Sequence, residues 1–180
     1  MENLAIRRCT AADAEVFSVV ANRSFYDAFI HTCSEEDMRY FLSLHYDADT
    51  LRQEIEAGKL RTWLAWRGRD AVGFFTMAQR QPSFPLPGKE QKAMELVRLY
   101  VLKAYHGKGI AHRLMQFFLS EAEKAHCPVQ WLGVWEHNAR AQAFYRKYGF
   151  TPTAYTHPFT IGLTLQTDQW WLRKSPKELL

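Results

Sequence analysis

One joint constrains this chain more than any other feature. Residues 98–113 read RLYVLKAYHGKGIAHR, a run of strand formers that breaks at Gly107 and Gly109 and resumes with apolar residues at helical spacing (Ile110, Leu114, Phe117, Phe118). Beyond it, VQWLGVW reads as another strand and NARAQAFYRKYGF as a short helix stopped at Gly149, so the order is strand, helix, strand, helix. The two glycines therefore sit inside a β-α-β unit, where a strand feeds a helix. Amides at a helix N-terminus lack intrahelical partners and carry partial positive charge, so glycines there let a pyrophosphate approach closely, and Lys108 adds a full charge. The simpler alternative is that Gly107 and Gly109 only permit a tight turn. The pattern is not a P-loop, which needs a GKS/T with a glycine five positions upstream, and it lacks the third glycine of a Rossmann fingerprint.

The rest of the chain frames this unit. Thr10-Ala-Ala-Asp13 and Ser34-Glu-Glu-Asp37 are helix-start signatures, and Asp49 or Thr50 opens a third helix over LRQEIEAG, so three helices crowd the N-terminal region. RTWLAWRG and AVGFFTMAQ are β-rich runs divided at Gly68-Arg69-Asp70, which predicts a hairpin. QPSFPLPGKEQ is a loop or distorted ribbon, MELVRLYVL a strand, and QTDQWWLRK the last strand. No repeat, low-complexity tract or linker divides the 180 residues, and an apolar fraction of 47% supplies a full core. The expectation is one domain over 1–180, with a helical region at 1–59 and a sheet-bearing region at 60–180.

Three cysteines (Cys9, Cys33, Cys127) outside any CxxC or Cys/His ligand pattern point to neither a disulfide framework nor a metal site, which fits a reducing cytoplasm. No apolar signal core follows Met1, and no stretch reaches the ~20 apolar residues of a membrane span, so no membrane association is expected. A net charge of +4 permits an anionic partner, but the basic residues are scattered, which favours a small phosphorylated ligand over nucleic acid.

The second segment, LGVWEHNARAQAFYRKYGF, narrows the reading. HGKGIA after a strand and N-x-x-A-x-x-F-Y-x-x-Y-G-F on the next helix together resemble the GNAT N-acetyltransferase superfamily over about residues 60–174. The family's Arg/Gln-x-x-Gly-x-Gly/Ala joint is matched at His106, Gly109 and Ala111, with His106 a departure at the first position. Asn138, Ala139, Ala141, Tyr145, Gly149 and Phe150 match the other signature. More narrowly, ELVRLYVLKAYHGKG, WLGVWEHN and QTD look like bacterial PaiA-type spermidine/spermine acetyltransferases. The resemblance implies an α+β (α/β/α layered) GNAT fold: a mixed, mostly antiparallel sheet with a V-shaped splay between two central parallel strands, flanked by helices. It also implies acetyl-CoA as acyl donor, no metal, and an acceptor side shaped by residues 1–59. A homodimer is compatible with it.

The resemblance places the donor's pantetheine along Leu99, Tyr100 and Val101, its pyrophosphate on His106, Gly107, Lys108, Gly109, Ile110 and Ala111, and Asn138 beside the pantetheine arm, although Asn138 is also a natural N-cap. An unpaired backbone N–H near Val101 suits a developing oxyanion. Tyr145 is placed opposite the leaving thiol; the alternative is a merely buried helix stripe with Phe144, and Tyr148 reads as packing. The base is less determined. Relatives often read ELERLYV on this strand, where Val97 replaces the second carboxylate; Glu95 remains the candidate, with a water chain, His31, Glu136 or His137 as alternatives and a solvated strand end as the structural reading. Glu35, Glu36 and Asp37 are candidates for a polyamine's distal ammonium, or simply helix-start charges favoured by the dipole. Two other functions stay open: a non-catalytic acyl-CoA-binding domain, and an acetyltransferase of protein N-termini or aminoglycosides.

Overall fold

The computed structural model describes residues 4–86 and 92–175. The last residues of the proline-rich loop expected at 81–91 thus lie outside the described residues. In chain order the elements are β1 (Leu4–Arg8), α1 (Ala14–Phe29), α2 (Glu35–His45), α3 (Ala48–Ala57), β2 (Arg61–Arg67), β3 (Asp70–Gln79), β4 (Ala93–Val101), α4 (Ile110–Lys124), β5 (Val129–Trp135), α5 (Ala139–Arg146), β6 (Thr151–Ile161) and β7 (Thr164–Lys174). The helix starts have the local chemistry the sequence suggests. The Ser34 hydroxyl accepts the Asp37 N–H at 3.1 Å. For α3 the cap lies earlier than expected, at Asp47, whose carboxylate accepts the N–H groups of Asp49 and Thr50 at 2.9 and 3.4 Å.

One seven-stranded sheet runs in the order β1-β2-β3-β4-β5-β7-β6, antiparallel throughout except for the central β4–β5 pair. This is the mixed, mostly antiparallel sheet expected. Side-chain alternation along β3 builds a core on each face. Phe75 points to the α4 side, stacking on Trp63 at 5.0 Å within a cluster that includes Leu114, Phe118 and Trp171. Phe74 points to the opposite side and meets Phe17 of α1 edge-on at 4.9 Å, beside Phe25, Met38 and Leu51. The helical layer of the N-terminal region thus covers one face, and α4 and α5 cover the other.

Two strands were not anticipated. β1 is five residues of LAIRR, too short and too charged to register as an apolar alternation. β6 contains Pro152 and Pro158, which argue against a strand in the interior of a sheet, but β6 lies at the sheet edge, where a missing N–H leaves no rung unmade.

The feature that matters for function is the way β4 is held. Its outer side pairs with β3 from Met94 to Val101, with a register shift between Thr76 and Met77 that leaves Val97 without an opposite residue. Its inner side pairs with β5 only at Ala93–Val129, Met94–Gln130 and Glu95–Trp131. From the bulge, Arg98 turns beneath α3 and meets Glu54 in a bidentate pair at 2.7 and 3.0 Å, with its guanidinium 5.3 Å from the Tyr46 ring. Both side chains are largely buried, so removing one strands the other's charge. Arg98→Met is expected to cost about 3 kcal/mol in urea unfolding, and Arg98→Met with Glu54→Leu to recover most of it.

Candidate active site

Past Glu95 and Trp131 the two central strands part, and the inner edge of β4 from Leu96 to Val101 has no β5 partner. Leu99 and Val101 pack toward the α4-side core, while Tyr100 packs on the other face, 6.0 Å from Phe25 and 5.7 Å from Phe74. The side chains are therefore anchored above and below, and the backbone edge faces the gap, as an extended ligand requires.

β4 ends in a short turn, Lys103–Tyr105, tied by Leu102 N–H to the Val72 carbonyl at 3.0 Å. His106 then folds back. Its Nδ1 lies 3.0 Å from the Arg140 guanidinium, which can only donate, so Nδ1 accepts and Nε2 donates to the Val101 carbonyl at 2.8 Å. The histidine that departs from the expected motif thus braces the joint between β4 and α5. Gly107 and Gly109 have φ of 75° and 77°, the left-handed region that glycine enters without strain. A Cβ on either would meet no neighbour within 4 Å, so the space over the joint is open. Ile110 is buried and anchors α4, whose first bond runs from Arg113 N–H to the Gly109 carbonyl at 3.1 Å, leaving the amides of Ile110, Ala111 and His112 without helical partners. Lys103, Lys108, Arg113 and Arg140 are exposed around them. Open amides, absent side chains and clustered cations fit a pyrophosphate.

Across the gap, Asn138 caps α5 by accepting the Ala141 N–H at 3.0 Å, so the N-cap role is realised; its side-chain NH2 donates to no described residue. Tyr145 is buried against Phe144 and Phe150, and its hydroxyl has no hydrogen-bond partner among the described residues. Burial first, and then the negative charge of Asp168, push its pKa well up, so it stays a phenol that can donate. Tyr148, by contrast, is engaged with His112 at 2.7 Å, and its carbonyl accepts from Arg173 at 2.8 Å.

The carboxylates sort differently from the sequence expectation. Glu95 is buried and ion-paired to Arg80; burial raises its pKa while Arg80 opposes the shift. Asp37 accepts the Leu163 N–H at 2.7 Å and the Thr164 hydroxyl at 2.9 Å, fastening α2 to the β6–β7 turn. Glu35 accepts from the Tyr26 hydroxyl at 3.0 Å, and Glu36 is exposed. The acidic trio is divided, and Asp37 belongs to the scaffold.

Asp168 was missed. It lies on β7 opposite Trp135 of β5 and His157 of β6, and burial pushes its carboxyl up to about 7. Its side chain meets neither a cation nor a hydrogen-bond donor among the described residues. Gly133 makes room for it: a Cβ there would lie 2.9 Å from the Asp168 carboxylate and 2.9 Å from the Trp170 ring. Aromatic rings line the same side, with Trp135 5.9 Å from Phe29 and 6.0 Å from His31, and Trp131 5.2 Å from Trp170. The only sequence signal was the QTD triplet, which by itself names no role. No cluster of three or more His, Cys, Asp or Glu among the described residues is arranged for a metal ion, and no described helix is long and apolar enough to cross a membrane.

Comparison with known proteins agrees with this geometry. Residues 22–150 match the model of the acetyltransferase (GNAT) family. An uncharacterised N-acetyltransferase of Mycobacterium tuberculosis H37Rv is 38% identical over 162 residues, 90% of this chain and 97% of its own. One from Lactobacillus delbrueckii subsp. lactis is 30% identical over 173 residues, covering 93% and 95%. Among solved structures, the PaiA N-acetyltransferase of Thermoplasma acidophilum in complex with coenzyme A has a TM-score of 0.77 at 21% identity, over 96% of this chain and 99% of that one. The yncA acetyltransferase of Salmonella typhimurium with acetyl-CoA has a TM-score of 0.69 at 22% identity, over 96% and 94%. A family match across most of the chain and relatives at this identity, with the same overall fold in the solved structures, make the chain a member of the GNAT acetyltransferase family, an acetyl-CoA-dependent N-acetyltransferase.

Proposed function

We propose that the acceptor is the primary amine of a small molecule, with spermidine or spermine as first candidate, and that the transfer takes place in the wedge between β4 and β5. The observation that supports the reading is the end of β4–β5 pairing at Glu95 and Trp131, which leaves the inner edge of β4 from Leu96 to Val101 open. Acetyl-CoA, when bound, supplies an activated acetyl thioester. The chain's own work is to hold and polarise it. The edge at Leu99, Tyr100 and Val101 offers backbone pairing to the pantetheine, and the amides from Gly107 to Ala111 with Lys108 offer a seat for the pyrophosphate. The free NH2 of Asn138 is a donor for the pantetheine amide.

Tyr145 acts at the sulfur. A phenol of ordinary pKa about 10 already exceeds a thiol of about 8.5, and burial raises it further. Tyr145 therefore stabilises the departing sulfur by donating a hydrogen bond in a dry site rather than by surrendering its proton outright. The polyamine assignment rests on the PaiA-like segments WLGVWEHN and QTD and on the exposed carboxylates Glu35 and Glu36; with Asp37 committed to the β6–β7 turn, those two alone remain to meet a distal ammonium.

Three measurements test these roles. Gly109→Val forces a β-branched residue to φ near 77° and fills the open space, so the Kd for acetyl-CoA measured by calorimetry should rise about tenfold or more with the circular dichroism unchanged; unchanged affinity contradicts the pyrophosphate seat. Tyr145→Phe should leave acetyl-CoA affinity intact and lower kcat by about 100-fold, and a wild-type kcat, with chemistry limiting, reduces Tyr145 to packing. In a thiol-release screen against polyamines, amino acids, aminoglycosides and N-terminal peptides, spermidine or spermine should turn over fastest, and Glu35→Gln with Glu36→Gln should raise the KM for spermine alone; no preference over simple monoamines removes the polyamine assignment.

A further inference from the structure

We propose that Asp168 is the catalytic base, taking a proton from the acceptor's ammonium to free the lone pair with which the nitrogen attacks. This rests on the transfer site proposed above and assigns the one function that site still lacks.

Three observations converge on it. The first is position. Asp168 is cross-strand to Trp135, the last residue of β5, and its carboxylate reaches back over Gly133, two residues beyond the final β4–β5 rung at Trp131. It is near enough to Tyr145 on α5 and Tyr100 on β4 for its charge to act on both phenols, so it stands where the strands divide.

The second is the lack of a partner. Every other buried or half-buried carboxylate described is met by a donor or a cation. Asp13 has Thr10 and Arg7, Asp37 has Leu163 and Thr164, Glu54 has Arg98, Glu95 has Arg80, and Glu121 has Lys124. Asp168 alone has none. A half-buried carboxylate that meets no cation or donor is poorly solvated, and a substrate ammonium would supply the missing charge.

The third is that Glu95, the candidate offered by the sequence, is engaged. Burial raises its carboxyl as well, but the ion pair with Arg80 opposes that rise and occupies the carboxylate that would have to accept a proton. Asp168 is raised toward neutrality by burial, which shortens the gap to an ammonium of pKa about 10.4.

The proton and bond inventory closes. R–NH3+ gives one proton to the Asp168 carboxylate, and the freed lone pair forms the N–C bond to the acetyl carbon. The C–S bond breaks with its electron pair on sulfur, where Tyr145 donates a hydrogen bond. The second proton leaving nitrogen protonates the thiolate, and Asp168 returns its proton to solvent. The sum is R–NH3+ plus acetyl-CoA giving R–NH–acetyl, CoA thiol and one proton.

Asp168→Asn keeps the shape and removes the base. The first readout needs no turnover. A carboxyl raised in the folded state contributes stability at low pH that is lost as pH rises toward about 7, so the melting temperature of Asp168→Asn relative to wild type should increase from pH 5 to pH 8. The titratable groups around Asp168 include Tyr145 from α5, Tyr100 from β4, His157 from β6, and His31 and His137, which pack on the Trp135 ring opposite it; the phenols stay neutral across this range, and the same comparison with the three histidines replaced by Gln in both backgrounds removes the imidazoles. The second readout compares propylamine, protonated at neutral pH, with trifluoroethylamine, largely free base there. Asp168→Asn should lower kcat/KM about 100-fold or more for propylamine and less than about fivefold for trifluoroethylamine, with the calorimetric Kd for acetyl-CoA unchanged. Equal losses on both amines, or a melting difference flat with pH, overturn the assignment while leaving the acetyl-CoA site standing. Failure of the wild type to bind acetyl-CoA overturns both.

Discussion

The site depends on a pairing that stops. β4 and β5 share only three rungs, from Ala93–Val129 to Glu95–Trp131, yet each is held along its other side, β4 by β3 from Met94 to Val101 apart from the bulge at Val97, and β5 by β7 throughout. The sheet is thus two well-paired halves joined at one end, and the gap between them is fixed by the rigidity of both halves. Backbone groups left open along a strand edge are costly when buried unless something pairs with them, and an extended ligand does so without a side chain being specified. The bulge at Val97 and the Arg98–Glu54 pair under α3 bend and pin β4 at the point of divergence.

Opposite charges occupy opposite ends of this gap. Lys103, Lys108, Arg113 and Arg140 are exposed around the open amides, where the proposed pyrophosphate seat needs cations, and Asp168 lies over Gly133, where the proposed acceptor brings an ammonium. Tyr145 is buried, and its hydroxyl has no hydrogen-bond partner among the described residues. On the proposed mechanism, the carboxylate and the phenol that lack partners among the described residues are the two that the reaction would supply with them.

Much of this was legible in the sequence because it was local. Gly107 and Gly109 marked a turn at the strand-to-helix joint, which the structure forms with both in the left-handed region, and Asn138 marked a helix cap, since turn and capping preferences belong to single residues. The hairpin at Gly68 and the helix starts were readable for the same reason. The strands β1 and β6 were hidden because edge strands need neither a long apolar alternation nor every N–H. Asp37 looked like part of an acidic patch, yet its partners, Leu163 and Thr164, come from the far end of the chain. Asp168 was invisible for the corresponding reason: its meaning comes from the absence of a side chain at Gly133 and the absence of a cation beside it, and neither is written near QTD.

The claim that the open edge of β4 is the donor's seat is tested most directly by amide hydrogen exchange with and without coenzyme A. Binding should slow exchange at residues 96–103 and 107–112 by about tenfold or more, with β3, which already has partners on both sides, little changed. Protection confined to the 107–112 joint, with 96–103 exchanging as before, would contradict the account.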